Sequence, residues 1–181
     1  MFGTKTLCRC LKPLANIYGI LLSWILLLLN FYVFFQLLNT ADLKTKPVTL
    51  DELPYFSAEQ GYQTLTNLGA NGRNAYRLAN YSDFILPILM FLSLSLPNIA
   101  LGKDSRSILG PLACLISDYM ENIAIKYALD IYPQRNDFVM TFASYCGVIK
   151  FITFIISGLI VSVNIFRWII QPNKRSVQKI E

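Results

Sequence analysis

The sequence contains no histidine among its 181 residues. This absence excludes four chemistries that need imidazole: Ser/His proteases, HExxH zinc proteases, histidine-ligated haem proteins and histidine-rich di-iron desaturases. A Gly-rich phosphate loop is also missing, so nucleotide hydrolysis has no support. Charged residues are few, at 15% of the chain, whereas 54% are hydrophobic and the mean hydropathy is +0.45. That balance is typical of a membrane protein.

The hydrophobic excess lies in four long apolar runs, each close to or above the roughly 20 residues that a transmembrane helix needs. The runs cover about residues 14–38, 83–101, 108–128 and 140–166. A backbone in lipid is satisfied only in helices or in a closed barrel, and the alternating pattern of barrel strands is missing. The sequence therefore predicts an all-α protein, a four-helix transmembrane bundle that forms a single multi-pass domain over residues 1–181.

The first apolar run could also be a secretory signal peptide, because Lys5, Arg9 and Lys12 precede it. Its apolar core is far longer than the usual ~7–15 residues, and no cleavage site of small residues follows it cleanly. We therefore expect a retained membrane span.

The distribution of Lys and Arg predicts the orientation in the membrane. Nine basic residues fall in the N-terminal segment, the second loop and the C-terminal tail: Lys5, Arg9, Lys12, Lys103, Arg106, Arg167, Lys174, Arg175 and Lys179. These segments should face the cytoplasm, which puts both termini on that side. The net charge of +5 is then a topological bias and not a sign of nucleic-acid binding. The expected surroundings are the lipid bilayer and either a membrane-protein partner or a homo-oligomer.

The first non-cytoplasmic loop, residues 39–82, is predicted to be structured. Ser57 and Gln60 match a capping box, and Gly69 supplies a stop for the helix that would lie between. The residues at helical spacing on one face are Ala58, Tyr62, Leu65 and Leu68. We expect a short interfacial helix here, then a turn at residues 71–72 and a helix over 73–81 that continues into the second span. The loop could cover the bundle or contact a ligand.

The four cysteines form two pairs. Cys8 and Cys10 lie beside basic residues at the mouth of the first span, where a thiol can be S-acylated or stay an exposed thiol. Their C-x-C spacing fits neither a redox dithiol nor a zinc site. Cys114 and Cys146 fall inside spans, where a free cysteine usually packs as a small apolar residue. We therefore expect no metal site and no cofactor.

Ionisable residues at membrane depth are the main candidates for function. In the third span, Asp118, Glu121 and Asn122 share one helical face, and Lys126 extends that face toward the outer end. Charges inside a bilayer cost a few kcal/mol or more each, so they should face the interior and find partners.

The fourth span offers one such partner, because Lys150 lies at an estimated depth similar to that of Asp118. We therefore predict a buried pair between these two residues. The complete predicted network consists of Asp83, Asp118, Glu121, Asn122, Lys126 and Lys150. Such a network could handle protons or ions, could bind a lipid or small molecule, or could fix which helices pack together.

Two segments also resemble a group of small four-helix integral membrane proteins. The first is the G-R-x-x-Y segment that starts at Gly72, followed by D-x-x-x-P from Asp83 to Pro87; the second is D-Y-x-E-N from Asp118 to Asn122. The resemblance runs from about residue 55 to residue 150. That group has no assigned function. The resemblance therefore implies the four-span architecture and supports the selection of these intramembrane residues as candidates, but it implies no activity.

Three classes of function stay open. We favour an accessory or assembly subunit that uses its buried intramembrane charges to bind a partner. The alternative is a component of small-molecule, lipid or proton-coupled transport. The third is an intramembrane enzyme without histidine, in which Asp118 or Glu121 would act as acid or base with no recognisable nucleophile nearby. A closed pocket around Glu121 would favour small-molecule handling, whereas an exposed polar groove facing lipid would favour a partner subunit.

Overall fold

The computed structural model describes residues 2–39 and 49–170, so the basic tail and residues 40–48 of the first loop lie outside the described residues. Within these ranges the chain is helical and has no β-strand. The helices are α1 (Phe2–Leu11), α2 (Ile17–Asn39), α3 (Ala58–Asn67), α4 (Gly69–Asp83), α5 (Leu86–Ala100), α6 (Leu109–Ile131) and α7 (Asp137–Ile170). Short 3-10 turns cover Lys12–Leu14, Leu50–Glu52 and Ser105–Ile108.

Four segments are long and apolar enough to cross a membrane: Ile17–Asn39, Gly69–Ala100, Ser105–Ile131 and Asp137–Ile170. The predicted all-α, four-helix transmembrane bundle is thus confirmed. The most extensive helix contact joins α6 to α7, and α5 packs against both. The first span, α2, lies against α4 and α5. Large apolar side chains cover the outer faces of α2 and α7, as expected where helices face lipid.

The second span is broken at Phe84 and Ile85, between α4 and α5. Pro87 explains the break, because it has no N–H to donate to the carbonyl of Asp83 four residues earlier. Two side chains of α6 supply donors instead. Asn122 Nδ2 donates to the Asp83 carbonyl at 3.1 Å, and the Tyr119 hydroxyl donates to the Phe84 carbonyl at 3.0 Å. Carbonyls freed at membrane depth need such partners, because lipid offers none.

Pro97 inside α5 creates the same problem one helix further along. It leaves the carbonyl of Ser93 without its helical donor. The indole N–H of Trp24 donates to this carbonyl at 3.2 Å. The hydrogen bond ties the first span to the second.

The predicted helix in the first loop is α3. Its capping box is confirmed: the Ser57 hydroxyl accepts from the Gln60 N–H, and the Gln60 side chain accepts from the Ser57 N–H. The face that carries Tyr62, Leu65 and Leu68 is buried against α6 and α7. An interfacial position of α3 stays a prediction.

The predicted turn at residues 71–72 is wrong, because both residues lie within α4. The chain instead turns at Gly69, which has a φ of +63° that glycine tolerates best. The helix expected over residues 73–81 is confirmed as part of α4, and it leads into the second span.

Helix α1 was not predicted, and the first span begins at Ile17 instead of residue 14. The Asn16 side chain starts α2 by accepting a hydrogen bond from the Gly19 N–H at 3.0 Å. Helix α1 packs against the Ser105–Ile108 turn and α5. The N-terminal segment therefore lies at the same end of the bundle as the second loop.

Candidate functional site

Lys150 is buried inside the bundle, only 7% exposed, between two carboxylates of α6. Its Nζ lies 3.6 Å from Asp118 Oδ1 and 2.5 Å from Glu121 Oε2, and both acids are fully buried. The predicted contact between Asp118 and Lys150 is therefore present. Glu121 is nevertheless the closer partner, since residues three apart on a helix share a face and one ammonium reaches both.

Gly147 makes room for the Glu121 side chain. It precedes Lys150 by about one turn of α7, and a Cβ placed on it would lie 2.7 Å from Glu121 Oε1. Any larger residue would push the carboxylate away from its position beside Lys150. Sequence reasoning missed this residue, because a glycine in a long apolar helix has no pattern that marks it.

Lys126 does not belong to the buried network, so this part of the prediction is wrong. Its Nζ contacts Asp130 Oδ2 at 2.7 Å on the outer surface of α6, and its side chain is 36% exposed. The reason is geometric: two steps of four residues along a helix drift by about 80° from the starting direction. Lys126 has consequently turned away from the face that carries Asp118.

Asn122 is fully buried, as predicted, but it acts on the backbone. Its amide donates to the Asp83 carbonyl and so holds the broken second span against α6. The Asp83 side chain is 3% exposed, and its Oδ2 has no hydrogen-bond partner among the described residues. Asn122 is therefore a positioning residue, and Asp83 presents an unpaired acceptor to the interior.

A fifth ionisable residue, Asp51, reaches the same interior from the first loop. The Leu50–Glu52 turn is anchored by the fully buried Leu50, and Tyr76 OH donates to Asp51 Oδ2 at 2.5 Å. Asp51 Oδ1 is buried, and no described residue forms a hydrogen bond with it. Burial raises the pKa of Asp51, while the charge of Lys150 and the Tyr76 hydrogen bond oppose that rise. Asp51 was not singled out from the sequence, because its burial depends on how the first loop docks onto the bundle.

A cavity of about 150 Å³ joins these groups. Its polar wall consists of Asp51, Glu52, Asp83, Asp118 and Lys150, and its apolar wall consists of Phe31, Phe34, Phe35, Leu86, Met90, Phe151 and Phe154. Phe31 and Phe35 on α2 and Phe154 on α7 are 38%, 46% and 36% exposed. The cavity therefore reaches the lipid-facing surface between α2 and α7.

Within residues 2–39 and 49–170, no three Cys, Asp or Glu side chains are grouped so that they could hold a metal ion. The cavity wall is nevertheless acidic, with four carboxylates against one lysine. Protonation of the carboxylates or a positively charged ligand would neutralise this wall.

The cysteines take the positions expected of them. Cys114 and Cys146 are buried in the bundle, whereas Cys8 is partly exposed and Cys10 is exposed on α1. All four are free thiols. S-acylation of Cys8 or Cys10 stays a prediction.

Fold and site together define a multi-pass membrane bundle with an acidic cavity inside it. Comparisons with protein-family models, curated proteins and solved structures found no match for this chain. The cavity itself is therefore the feature of this chain that points to a function.

Proposed function

We propose that the protein binds a small molecule or lipid inside the membrane, as a component of small-molecule, lipid or proton-coupled transport. The observation that carries this proposal is the cavity of about 150 Å³ with buried carboxylates in its wall. A cavity that holds a single water needs only ~10–15 Å³, so this one can take a chemical group of several heavy atoms.

The energetics of the cavity wall support a binding role. Buried polar groups nearly always have hydrogen-bond partners, and each exception calls for an explanation. Here Asp83 Oδ2, Asp118 Oδ2 and Asp51 Oδ1 have no such partner within residues 2–39 and 49–170. Structural ion pairing alone would be served by Lys150 and one acid. The additional carboxylates destabilise the bundle unless protons or a ligand neutralise them.

An accessory or assembly role, which the sequence alone favoured, receives less support. The charges that would bind a partner subunit face inward, and Asp118 and Glu121 have no exposed surface. An intramembrane enzyme has less support still. The Ser117 hydroxyl donates to backbone carbonyls of its own helix, and the Cys114 thiol donates to the Lys150 carbonyl, so neither is activated by a base.

The test is to identify what co-purifies with the full-length chain. The protein would be purified in mild detergent, extracted, and its bound molecules quantified by mass spectrometry for wild type, Met90→Trp and Met120→Trp. Met90 lines the cavity and is 7% exposed, whereas Met120 lies on the lipid-facing side of α6 and is 42% exposed. The two variants make the same chemical change inside and outside the cavity.

We expect one compound at close to one molecule per chain in wild type and Met120→Trp, and about tenfold less of it in Met90→Trp. If Met90→Trp does not fold, Leu86→Phe fills the same cavity with a smaller change. Equal amounts of the same lipids in all variants would show that the cavity binds nothing and would refute the proposal.

The proposed orientation has both termini in the cytoplasm, as the basic residues predict. Tags at either terminus should then be accessible only from the cytoplasm, and a tag inserted beside Asp42 only from the other side. Opposite accessibility of the two termini would contradict the four-span topology.

We also propose that the chain is related to the small four-helix membrane proteins that it resembles.

A further inference from the structure

We propose that the ligand of the cavity is an amphiphile with a protonated amine head group and an alkyl tail, which enters from the lipid between α2 and α7. This inference rests on the proposed function, because it names the chemical class that the same cavity would bind. It follows from three features: unpaired acceptors, a surplus of negative charge and an apolar opening.

The unpaired acceptors match an ammonium group. In the part of the chain that the structure describes, Asp51 Oδ1, Asp83 Oδ2 and Asp118 Oδ2 are all buried without hydrogen-bond partners, and their residues come from three different segments that line one cavity. An alkylammonium has three N–H donors and no acceptor. A neutral alcohol would offer a single donor and would leave the negative charge uncompensated.

The charge of the wall selects against anions. Lys150, the one basic residue among the lining residues, is already held by Glu121 at 2.5 Å. Among the described residues that line the cavity, a phosphate or carboxylate would therefore meet Asp51, Asp83 and Asp118 without a free cation to bind. The rings of Phe34 and Phe151 complete the wall, and aromatic rings attract organic cations through their negative faces.

The opening of the cavity fits an alkyl tail. Its rim is made of Phe31, Phe35 and Phe154, which are apolar and more than one-third exposed on spans that face lipid. A tail that stays between α2 and α7 would keep its contact with the hydrocarbon while the head group enters the bundle. A small hydrophilic amine would gain nothing from this rim.

The experiment uses the full chain in phosphatidylcholine nanodiscs with three probes: hexadecylamine, hexadecanol and butylamine. Binding would be measured by native mass spectrometry and by the rise in melting temperature. We expect hexadecylamine to bind as a single adduct, and the other two probes to bind at least about tenfold more weakly. Equal binding of hexadecanol would overturn the amine head group, and equal binding of butylamine would overturn the tail and its route through the lipid.

Variants locate the site. Asp83→Asn and Asp51→Asn should each weaken hexadecylamine binding by about tenfold, since each removes a negative acceptor with little change of shape. Asp51→Asn lies in the loop and keeps the test available if Asp83→Asn does not fold. Phe31→Ala should weaken binding, whereas the matched Phe142→Ala, which is 37% exposed on α7 and outside the cavity lining, should not. Equal effects of the two Phe variants would place the amine outside the cavity.

Failure of this inference is distinguishable from failure of the proposed function. If hexadecylamine does not bind while a cavity-dependent compound still co-purifies with the wild type, the ligand class is wrong and the cavity remains a binding site. If no compound co-purifies either, both are wrong.

Discussion

Two lysines pair with carboxylates of helix α6 at nearly the same distance, in opposite surroundings. Lys150 lies 2.5 Å from Glu121 inside the bundle, and Lys126 lies 2.7 Å from Asp130 on its surface. The side chains of the inner pair are 8% and 0% exposed, and those of the outer pair 36% and 47%. The distances therefore do not show which pair matters more for stability. Burial does, because the charges of an exposed pair are also well solvated when they are apart, so that their contact adds little stability.

Removal of one partner costs more stability in the inner pair than in the outer pair. Once two charges are buried, removal of one leaves the other without compensation, and the penalty is that of an isolated charge in a low-dielectric medium. The outer pair has water or lipid head groups as substitutes. The proposed ligand should therefore have its largest effect in the cavity, where the acids outnumber Lys150.

The largest effect is expected for Lys150→Met, which should lower the free energy of unfolding by about 3–5 kcal/mol. Glu121→Gln should cost less, because Asp118 remains 3.6 Å from Lys150. The double variant should be less destabilised than the sum of the singles. Unfolding in detergent, analysed as a double-mutant cycle, measures the coupling. Additive effects would show that Lys150 and Glu121 do not interact.

The next effect concerns the space for the Glu121 side chain. Gly147→Ala places a methyl group 2.7 Å from Glu121 Oε1 and should destabilise the protein by about 2–3 kcal/mol, within the range for overpacking. Gly158→Ala is the matched control on the same helix, since a Cβ there meets nothing within 4 Å. The control should be neutral or slightly stabilising, because alanine favours the helix. Equal losses in both variants would mean that helix α7 itself, and not the Glu121 contact, is sensitive.

A smaller effect is expected for the hydrogen bond that supports the broken second span. Asn122→Ala removes the donor to the Asp83 carbonyl and should cost about 1 kcal/mol, since interhelical hydrogen bonds in membranes contribute about 0.6–2 kcal/mol. Asn67→Ala, at an exposed position near the end of α3, serves as the control. Thermal unfolding in detergent compares the two. No difference between them would indicate that the Asp83 carbonyl finds another donor.

Much of the fold was accessible to sequence reasoning because it depends on local patterns. Four apolar runs of sufficient length predict four spans, and the Ser57 and Gln60 pair predicts a helix start that the structure confirms. The pairing of Lys150 with α6 followed from opposite charges at matched depth. The break of the second span near Pro87 was not predicted; the missing N–H of the proline explains it in the structure.

The rest depends on how distant segments dock, which no local pattern encodes. Asp51 enters the site because Leu50 anchors its turn in the bundle, and Gly147 matters only because Glu121 happens to lie opposite it. Lys126 was misassigned because four-residue spacing was extended over more than two helical turns. The error grows with distance along a helix, so a shared face is a safe inference for one turn only.

The smallest effect is expected for Lys126→Met, which tests the outer half of the comparison. Lys126 contacts Asp130 on the surface and lies 5.4 Å from the centre of the Tyr81 ring, where solvent or lipid head groups can replace either contact. Asp130 also keeps a second partner, Arg77, at 3.5 Å. The melting temperature of Lys126→Met in detergent should therefore equal that of wild type, and the compound that co-purifies should be unchanged. A loss of stability comparable to that of Lys150→Met would mean that burial does not decide how much each pair contributes to stability. Burial would then no longer explain why the charges around Lys150 matter more than those on the surface.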